Sequence, residues 1–180
     1  TGKDEYDGGE TLPTVGGQVV VNIDEDSTLG YEGVYGNYYV VKIEDTQYPS
    51  LAAALAAVEN GQTIEIVRPN VGTEAAIDYP AAGATDYATE FTITGGEGYQ
   101  FSGITFRGDV NVTFDNAIIK TSLYALEDAT INFEGNNKVN AILGTKDDKI
   151  HYNVKAGSFL DMTYGKLWAN VNMYGNSNIS

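Results

Sequence analysis

Five segments in the second half of the chain, each with alternating apolar and polar residues, recur at nearly constant spacing. This repeat most strongly limits the folds that the chain can adopt. The segments are FTITGG (91–96), VNVTFDNAII (110–119), TINFEGNN (130–137), IHYNVKAG (150–157) and VNMYGN (171–176). Apolar positions recur in them at steps of 19, 19, 21 and 19 residues: Ile93, Val112, Ile131, Tyr152 and Val171. A period of about 20 residues is the size of one turn of a β-solenoid, in which stacked turns place like residues on like.

A second set of apolar positions follows two residues later with the same spacing: Phe114, Phe133, Val154 and Met173. Further apolar clusters lie between the repeats, at 103–106, 117–120, 139–143 and 158–162, and would form a second wall. A β-sandwich built of hairpins is the alternative, but its tight turns favour Asn-Gly or Asp-Gly. Neither dipeptide occurs between residues 91 and 180, which favours the solenoid.

A short helix is predicted just before the first repeat. Ser50 suits the N-cap, Leu51, Leu55 and Val58 fall on one helical face, and the alanines between them are strong helix formers. Asn60-Gly61 is a typical helix stop. Since the open end of a solenoid exposes apolar interior and strand edges, we expect this helix to act as a cap.

Strands are predicted on either side of the helix, at QVVVNID (18–24), NYYVVKIED (37–45) and QTIEIV (62–67). Residues 68–90 show no convincing periodicity. An excursion of this length is functional or mobile, or it hides a short element near Ala75-Ala76-Ile77. The predicted organisation is therefore a tether (1–17), N-terminal strands with the capping helix (18–61) and the β-helix (62–180).

Composition excludes several classes of partner. The net charge of -15 would repel phosphate backbones and anionic lipid, so we expect no nucleic-acid binding and no direct membrane-surface binding. No apolar run approaches the roughly 18 residues that a membrane helix needs. The chain has no Cys, which excludes disulfides and cysteine-based metal sites.

The stretch KIEDTQYPSLAAALAAVENGQTIEIV (42–67) resembles a recurrent opening of bacterial surface proteins, in which an alanine-rich helix introduces a right-handed parallel β-helix. VNVTFDNAIIK and ATINFEGNN resemble turns of pectate-lyase-like and adhesin β-helices. The resemblance covers residues 40–137 well and the remainder loosely. It implies a mainly β protein, a right-handed parallel β-helix with a short N-terminal helix cap, in a fold that serves lyases, hydrolases, adhesins and inert stalks.

The polar, glycine-rich start TGKDEYDGGETLPTVGG (1–17) resembles the segment after the lipidated cysteine of Bacteroidetes-type surface lipoproteins. This resemblance implies export and a place on the bacterial cell surface as an outer-membrane lipoprotein. Contact with the membrane would then be made only through a lipid anchor upstream of Thr1. An ordinary flexible terminus is the alternative.

An acidic residue precedes each of three successive repeat strands: Asp109, Asp128, and Asp147 or Asp148. The first two are 19 residues apart, and the third follows after 19 or 20 residues. Stacked on one edge, carboxylates at a solenoid spacing of about 4.8 Å repel each other unless a cation intervenes. Calcium, with its preference for oxygen ligands, would suit Asp109, Asp128 and Asp148. The alternative is that these are turn residues facing water; no other cofactor is indicated.

Aromatic residues give the clearest lead to a ligand. Tyr79 and Tyr87 lie in the 68–90 excursion, and Tyr124, Tyr164 and Trp168 lie in turn-like stretches of the repeat region. Exposed rings beside Asn and Asp groups suit stacking on sugars, whereas rings that cover the edges of the core would have a purely structural role.

These patterns favour a non-catalytic surface protein, an adhesin or glycan-binding module whose partner is a glycan or a host-cell or other cell-surface protein. A polysaccharide lyase or glycoside hydrolase is the alternative, but it needs a positioned base or two facing carboxylates, and no basic residue pairs with acidic ones at matching repeat positions. An inert stalk is the third reading. The last repeat lacks a polar cap, so an oligomer partner is expected at the C-terminal end.

Overall fold

The computed structural model describes residues 14–15, 18–19, 39–69, 73–97, 99, 102–120, 122–140, 142–144 and 150–180. The chain divides into two compact units, Thr1–Tyr39 and Val40–Ser180. In the first unit, β1 (Thr14–Val15) pairs in antiparallel fashion with β2 (Gln18–Val19). The remainder of the strand predicted at 18–24 lies outside the described residues, as does most of the predicted tether.

The second unit is almost entirely β. Its elements are β3 (Val41–Ile43), β4 (Thr46–Tyr48), α1 (Leu51–Leu55), β5 (Thr63–Ile66), β6 (Ile77–Tyr79), β7 (Glu90–Gly95), β8 (Ile104–Phe106), β9 (Asn111–Ile119), β10 (Leu123–Ala125), β11 (Thr130–Glu134), β12 (Asn136–Val139), β13 (Ile142–Leu143), β14 (Ile150–Val154), β15 (Phe159–Asp161), β16 (Lys166–Leu167), β17 (Asn170–Met173) and β18 (Asn178–Ile179). Strand β6 is the short element anticipated near Ile77 within the 68–90 excursion. No helix in these described parts is long and apolar enough to cross a membrane.

The strands stack into a parallel β-solenoid of about four turns. Sheet 1 contains β5, β7, the first half of β9, β11, β14 and β17. Sheet 2 contains the end of β9, β12, β15 and β18, and sheet 3 contains β6, β8, β10, β13 and β16. Neighbouring strands in each sheet run in the same direction and come from successive turns. The predicted solenoid is thus confirmed, and the hairpin sandwich is wrong for residues 91–180.

The predicted register is correct for the later turns and shifted by two residues at the first. Ile131 pairs with Val112 as expected, but Val112 pairs with Phe91 and not with Ile93. The cause is loop length: Phe91 and Ile104 are 13 residues apart, whereas their partners Val112 and Leu123 are 11 apart. A shift of two residues keeps the same face of the strand inward, so the alternation in the sequence did not reveal it.

The interior of the solenoid is a continuous column of apolar side chains. Each strand of sheet 1 directs every second side chain inward. The inward side chains at one paired position of successive strands are all fully buried: Ile64, Ile93, Phe114, Phe133 and Val154. The rings of Phe114 and Phe133 stack with centroids 6.0 Å apart. Burial of each such side chain contributes about 1.5–3 kcal/mol, so this column is the main source of stability.

The capping helix forms where it was predicted but is shorter. The Ser50 hydroxyl accepts a hydrogen bond from the amide of Ala53 at 3.1 Å, and Leu51, Leu55 and Val58 are buried. The helix ends at Leu55, before the predicted stop at Asn60. The Asn60 side-chain carbonyl instead accepts the amides of Thr89 and Glu90 at 2.7 and 2.9 Å, which ties this exit segment to the start of β7.

The first edge of sheet 1 is covered by a hairpin as well as by the helix. The strand predicted at 37–45 turns at Glu44, whose φ is +53°, and β4 returns alongside β3. β3 also pairs in antiparallel fashion with β5. β5 therefore has a partner on both sides, and the short β4 becomes the end strand of sheet 1.

Candidate functional site

The helix α1 and the 77–88 segment enclose a cavity of about 610 Å³, which we call the cap cleft. Its lining residues are Ala52, Leu55, Ala56, Val58, Glu59, Asn60, Ile77, Asp78, Tyr79, Pro80, Ala81, Ala84, Asp86, Tyr87 and Ala88. The volume lies within the range of roughly 300–1,000 Å³ that is typical of small-molecule sites. The alanines that make the segment a helix former also leave this space open, because their side chains are short.

Tyr79 and Tyr87, both predicted ligand residues, meet at the cap cleft in an edge-to-face contact with centroids 6.3 Å apart. Tyr79 is 5% exposed, contrary to the expectation of an exposed ring, because β6 directs it into the core. Its hydroxyl donates a hydrogen bond to the carbonyl of Ala88 at 2.8 Å. Burial raises the pKa of Tyr79 to about 12. Tyr79 therefore supports the cleft from within and presents no stacking face to solvent.

Tyr87 is half-buried and is held in place by one of the predicted metal ligands. Its hydroxyl donates a hydrogen bond to Oδ1 of Asp109 at 3.2 Å. The negative charge of Asp109 raises the pKa of Tyr87, with a smaller contribution from Glu127. The phenol is consequently fixed as a hydrogen-bond donor to the next turn, and its ring remains available to the cleft.

The other predicted metal ligands do not complete a site in the described part of the chain. Asp109 and Asp128 each precede a strand of sheet 1 by two residues, and those strands pair Asn111 with Thr130, so the two carboxylates occupy equivalent corners of successive turns. Asp148, like Asp147, lies outside the described residues. Among the residues that are described, no three Asp, Glu or His side chains are arranged to hold a metal ion. Calcium binding stays a prediction.

The outer face of sheet 3 aligns two more of the predicted ligand residues. Leu123, Leu143 and Leu167 are paired, so the residues after them, Tyr124, Gly144 and Trp168, share one position on successive turns. The amides of Gly144 and Trp168 each donate to the carbonyl of the preceding turn's leucine, at 2.9 Å in both cases.

The same row continues toward the cap cleft. Tyr124 pairs with Thr105, and Thr105 pairs with Asp78, which also lines the cleft. We call the set Asp78, Thr105, Tyr124, Gly144 and Trp168 the outer row. Its neighbour Arg107 places Nη2 3.7 Å from Oδ1 of Asp78, an exposed ion pair that contributes little to stability.

The two rings of the outer row face away from the core. In β10, Tyr124 is half-buried between the buried Leu123 and Ala125, so it points outward. Trp168 is 52% exposed. Gly144 places no side chain between them.

Tyr164 lies apart from the outer row. It is 75% exposed, and Nζ of Lys138 lies 5.5 Å from its ring centroid. Lys138 also lies 3.5 Å from Oδ2 of Asp161. Tyr164 thus belongs to a small charged cluster beside sheet 2, and its role as a ligand residue stays a prediction.

Sequence reasoning missed a ladder of asparagine side chains across sheet 1. Asn132 donates to Asn111 at 2.6 Å, Asn153 donates to Asn132 at 3.0 Å, and Asn172 donates to Asn153 at 3.0 Å. The signal was present, because Asn132, Asn153 and Asn172 recur at 21 and 19 residues, like the apolar positions. Hydrogen-bonded amides on stacked turns stabilise the register of the sheet.

Comparisons with protein-family models, with curated protein sequences and with solved structures find no match for this chain. The fold therefore rests on the strand pairing itself. The family, the lipoprotein assignment and the adhesin function suggested by the sequence resemblance stay proposals.

Proposed function

We propose that this protein is a non-catalytic glycan-binding module and that the sugar chain lies along the outer row. The observation that carries the proposal is the alignment of Tyr124 and Trp168 at one position of sheet 3, two turns apart. Strands in a sheet are about 4.8 Å apart, so the two rings are separated by about 10 Å along the solenoid axis. Such a spacing would let both rings stack on sugars of one extended chain.

The remaining side chains of the outer row supply polar groups. The Thr105 hydroxyl can donate and accept hydrogen bonds, and the Asp78 carboxylate can accept them from sugar hydroxyls. Aromatic faces combined with a few fixed polar groups are the usual composition of a site that binds an amphipathic ligand. Asp78, Thr105 and Tyr124 stand on strands, and Trp168 directly follows β16, so the surface is preorganised and loses little conformational entropy on binding.

The charge of the protein selects among glycans. With a net charge of -15, the protein repels polyuronates and sulfated chains unless a cation such as calcium bridges them. The preferred ligand is therefore a neutral or positively charged glycan.

Catalysis is the less favoured alternative. A glycosidase needs two carboxylates facing one cleft, and the outer row contains one, Asp78, which is paired with Arg107. Binding requires no such pair. The polysaccharide-processing enzyme is retained as an outcome of the test below.

We also propose that the protein is exported and displayed on a bacterial outer surface through a lipid anchor upstream of Thr1. The polar, glycine-rich residues 1–17 and the resemblance of residues 42–67 to bacterial surface proteins support this location. The full-length gene would show a signal peptide followed by a cysteine, and cells fed labelled palmitate would incorporate it into the protein. A gene that begins without a signal peptide would contradict the proposal.

A glycan array probed with the protein, with and without calcium, tests the proposed function. We expect binding to one class of neutral or cationic glycan, weakened about tenfold or more by Trp168→Ala or Tyr124→Ala because each removes a stacking ring. Tyr174→Ala is the matched control, since Tyr174 is a similarly exposed ring that follows β17 of sheet 1, away from the outer row.

Loss of binding with Tyr174→Ala but not with Trp168→Ala would contradict the proposed site. Absence of binding to every glycan would contradict the function and leave the structural stalk. Turnover in a parallel lyase and glycosidase panel, abolished by Asp128→Ala, would establish the enzyme instead.

A further inference from the structure

The cap cleft combines an apolar wall with an acidic rim. The helix side presents Ala52 and Leu55, and the opposite side presents Ala84 and the ring of Tyr87. An apolar body held here would be removed from water on the two faces that contact the cleft walls, and this burial favours binding.

The polar groups of the cleft select a positive charge. Among the described residues, the charged side chains that line it are Glu59, Asp78 and Asp86. Asp78 is paired with Arg107, which does not itself line the cleft, so the acidic character of the cleft rests on Glu59 and Asp86. Glu59 and Asp86 are exposed at the rim, where a ligand would approach from solvent. The side-chain carbonyl of the neutral lining residue Asn60 is already bonded to the backbone of β7 and the residue before it.

Tyr87 adds a second preference for a cation. Its hydroxyl is committed to Asp109, which lies on the next turn, so it contributes its ring face rather than a hydrogen-bond donor. A cation placed over a tyrosine ring is attracted to the negative face of the ring. The acidic rim and the ring therefore favour the same ligand charge.

We propose that the cap cleft binds a protonated primary amine carried on a small apolar body. The apolar body packs against the alanine-rich face of α1, and the ammonium group lies at the rim between Glu59 and Asp86. This site is separate from the aromatic part of the outer row, so it adds a second binding activity and does not depend on glycan recognition.

Fluorine NMR with para-fluorophenethylamine as the probe tests the proposal on the whole 180-residue protein. We expect saturable broadening of the probe resonance and affinity at least about tenfold higher than for para-fluorophenylacetate, which has a similar ring and the opposite charge. The affinity for the amine should fall as salt is added, because the rim carboxylates are exposed. Equal binding of the two probes, or no binding of the amine, would overturn the proposal.

Two kinds of variant locate the site. Ala52→Trp places a large ring in the cleft and should abolish binding, whereas Ala57→Trp, an exposed alanine just after α1 that does not line the cleft, should leave it unchanged. Circular dichroism shows whether both variants keep the native fold. The double change Glu59→Gln and Asp86→Asn, at two exposed positions, should weaken amine binding and leave the acid probe unaffected or bound more tightly. Unchanged amine binding in either the Ala52→Trp or the double variant would overturn the proposal.

Discussion

Glu74 accepts a hydrogen bond from the hydroxyl of Tyr99 at 2.6 Å, and the same carboxylate closes the N-terminus of α1. Its Oε1 accepts the amide of Ala52 at 2.9 Å, and its Oε2 accepts the amide of Leu51 at 3.3 Å. These amides have no partners within the helix, and a negative charge at a helix N-terminus is favourable. The 68–90 excursion therefore contributes directly to the cap.

Replacing Glu74 by Ala should destabilise the protein. The change removes the carboxylate that accepts hydrogen bonds from the Leu51 and Ala52 amides and from the Tyr99 hydroxyl, so we expect a loss of about 1–3 kcal/mol in the free energy of unfolding. Urea denaturation measures it. Glu97→Ala, at an exposed position, should change the value by less than about 0.5 kcal/mol. Equal effects of the two substitutions would show that the capping contacts contribute nothing.

The sequence predicts the solenoid well because the interior repeats with the turn. Residues such as Phe114 and Phe133 occupy the same inward position on successive turns. Similar residues therefore recur in the sequence once per turn, and this period is visible in the sequence alone. The first turn was misaligned because two extra residues lie in the loop between β7 and β8, and loop length is not constrained by the core. The early end of α1 could not be predicted from local residue preferences, because the Asn60 side chain is held by hydrogen bonds from residues 29 and 30 positions away.

The candidate site was harder to predict than the fold. The sequence identified Tyr79 and Tyr87 as aromatic residues of one excursion, but the burial of Tyr79 depends on its pairing with Phe106 in β8. The row through Tyr124 and Trp168 depends on pairing among β10, β13 and β16. Those strands are only two or three residues long, so alternation within each is too brief to reveal which residues face outward.

Phe114→Ala tests the apolar column. It removes a fully buried ring that stacks on Phe133, and we expect a loss of about 3–5 kcal/mol, measured by urea denaturation. Thr113→Ala, one residue earlier on the outer face of the same strand, is the matched control and should cost less than about 0.5 kcal/mol. A loss below about 1 kcal/mol for Phe114→Ala would contradict a close-packed interior at this turn.

The raised pKa of Tyr79 predicts a loss of stability in alkaline solution. In the folded state its pKa is about 12, against 10.0 for the unperturbed phenol, because burial disfavours the phenolate. The contribution of the protonated Tyr79 phenol to the free energy of unfolding is fully present below pH 10. It is lost as the pH rises toward 12, because the phenol loses its proton at a lower pH in the unfolded chain than in the folded one.

Tyr79→Phe should make the free energy of unfolding fall less steeply with pH in that interval. The variant also loses the hydrogen bond to Ala88, about 1 kcal/mol, at every lower pH. Urea unfolding at a series of pH values compares the two slopes. Parallel curves for the variant and the unmodified chain would show that Tyr79 ionises equally easily in both states.

The last turn predicts self-association of the 180-residue chain. Met173 is 50% exposed although its partner on the preceding turn, Val154, is fully buried, and Lys166 is the one charged side chain between residues 162 and 180. An exposed strand edge with few charges readily pairs with another edge.

Met173→Lys should therefore shift sedimentation profiles of concentrated protein toward the monomer. Ala57→Lys, with the same change in net charge at the capping helix, should leave the profiles unchanged. A chain that is monomeric at all concentrations would contradict the prediction.

The fluorescence of Trp168 gives the most direct test of glycan binding along the outer row. It is the one tryptophan in the sequence and is 52% exposed, so its emission reports the environment of the proposed site alone. Titration with a glycan that the array identifies should shift the emission to shorter wavelength in a saturable manner, and Tyr124→Ala should move the midpoint to a glycan concentration about tenfold higher. Emission that stays unchanged while the glycan is shown by calorimetry to bind would contradict the proposal that this row holds the sugar.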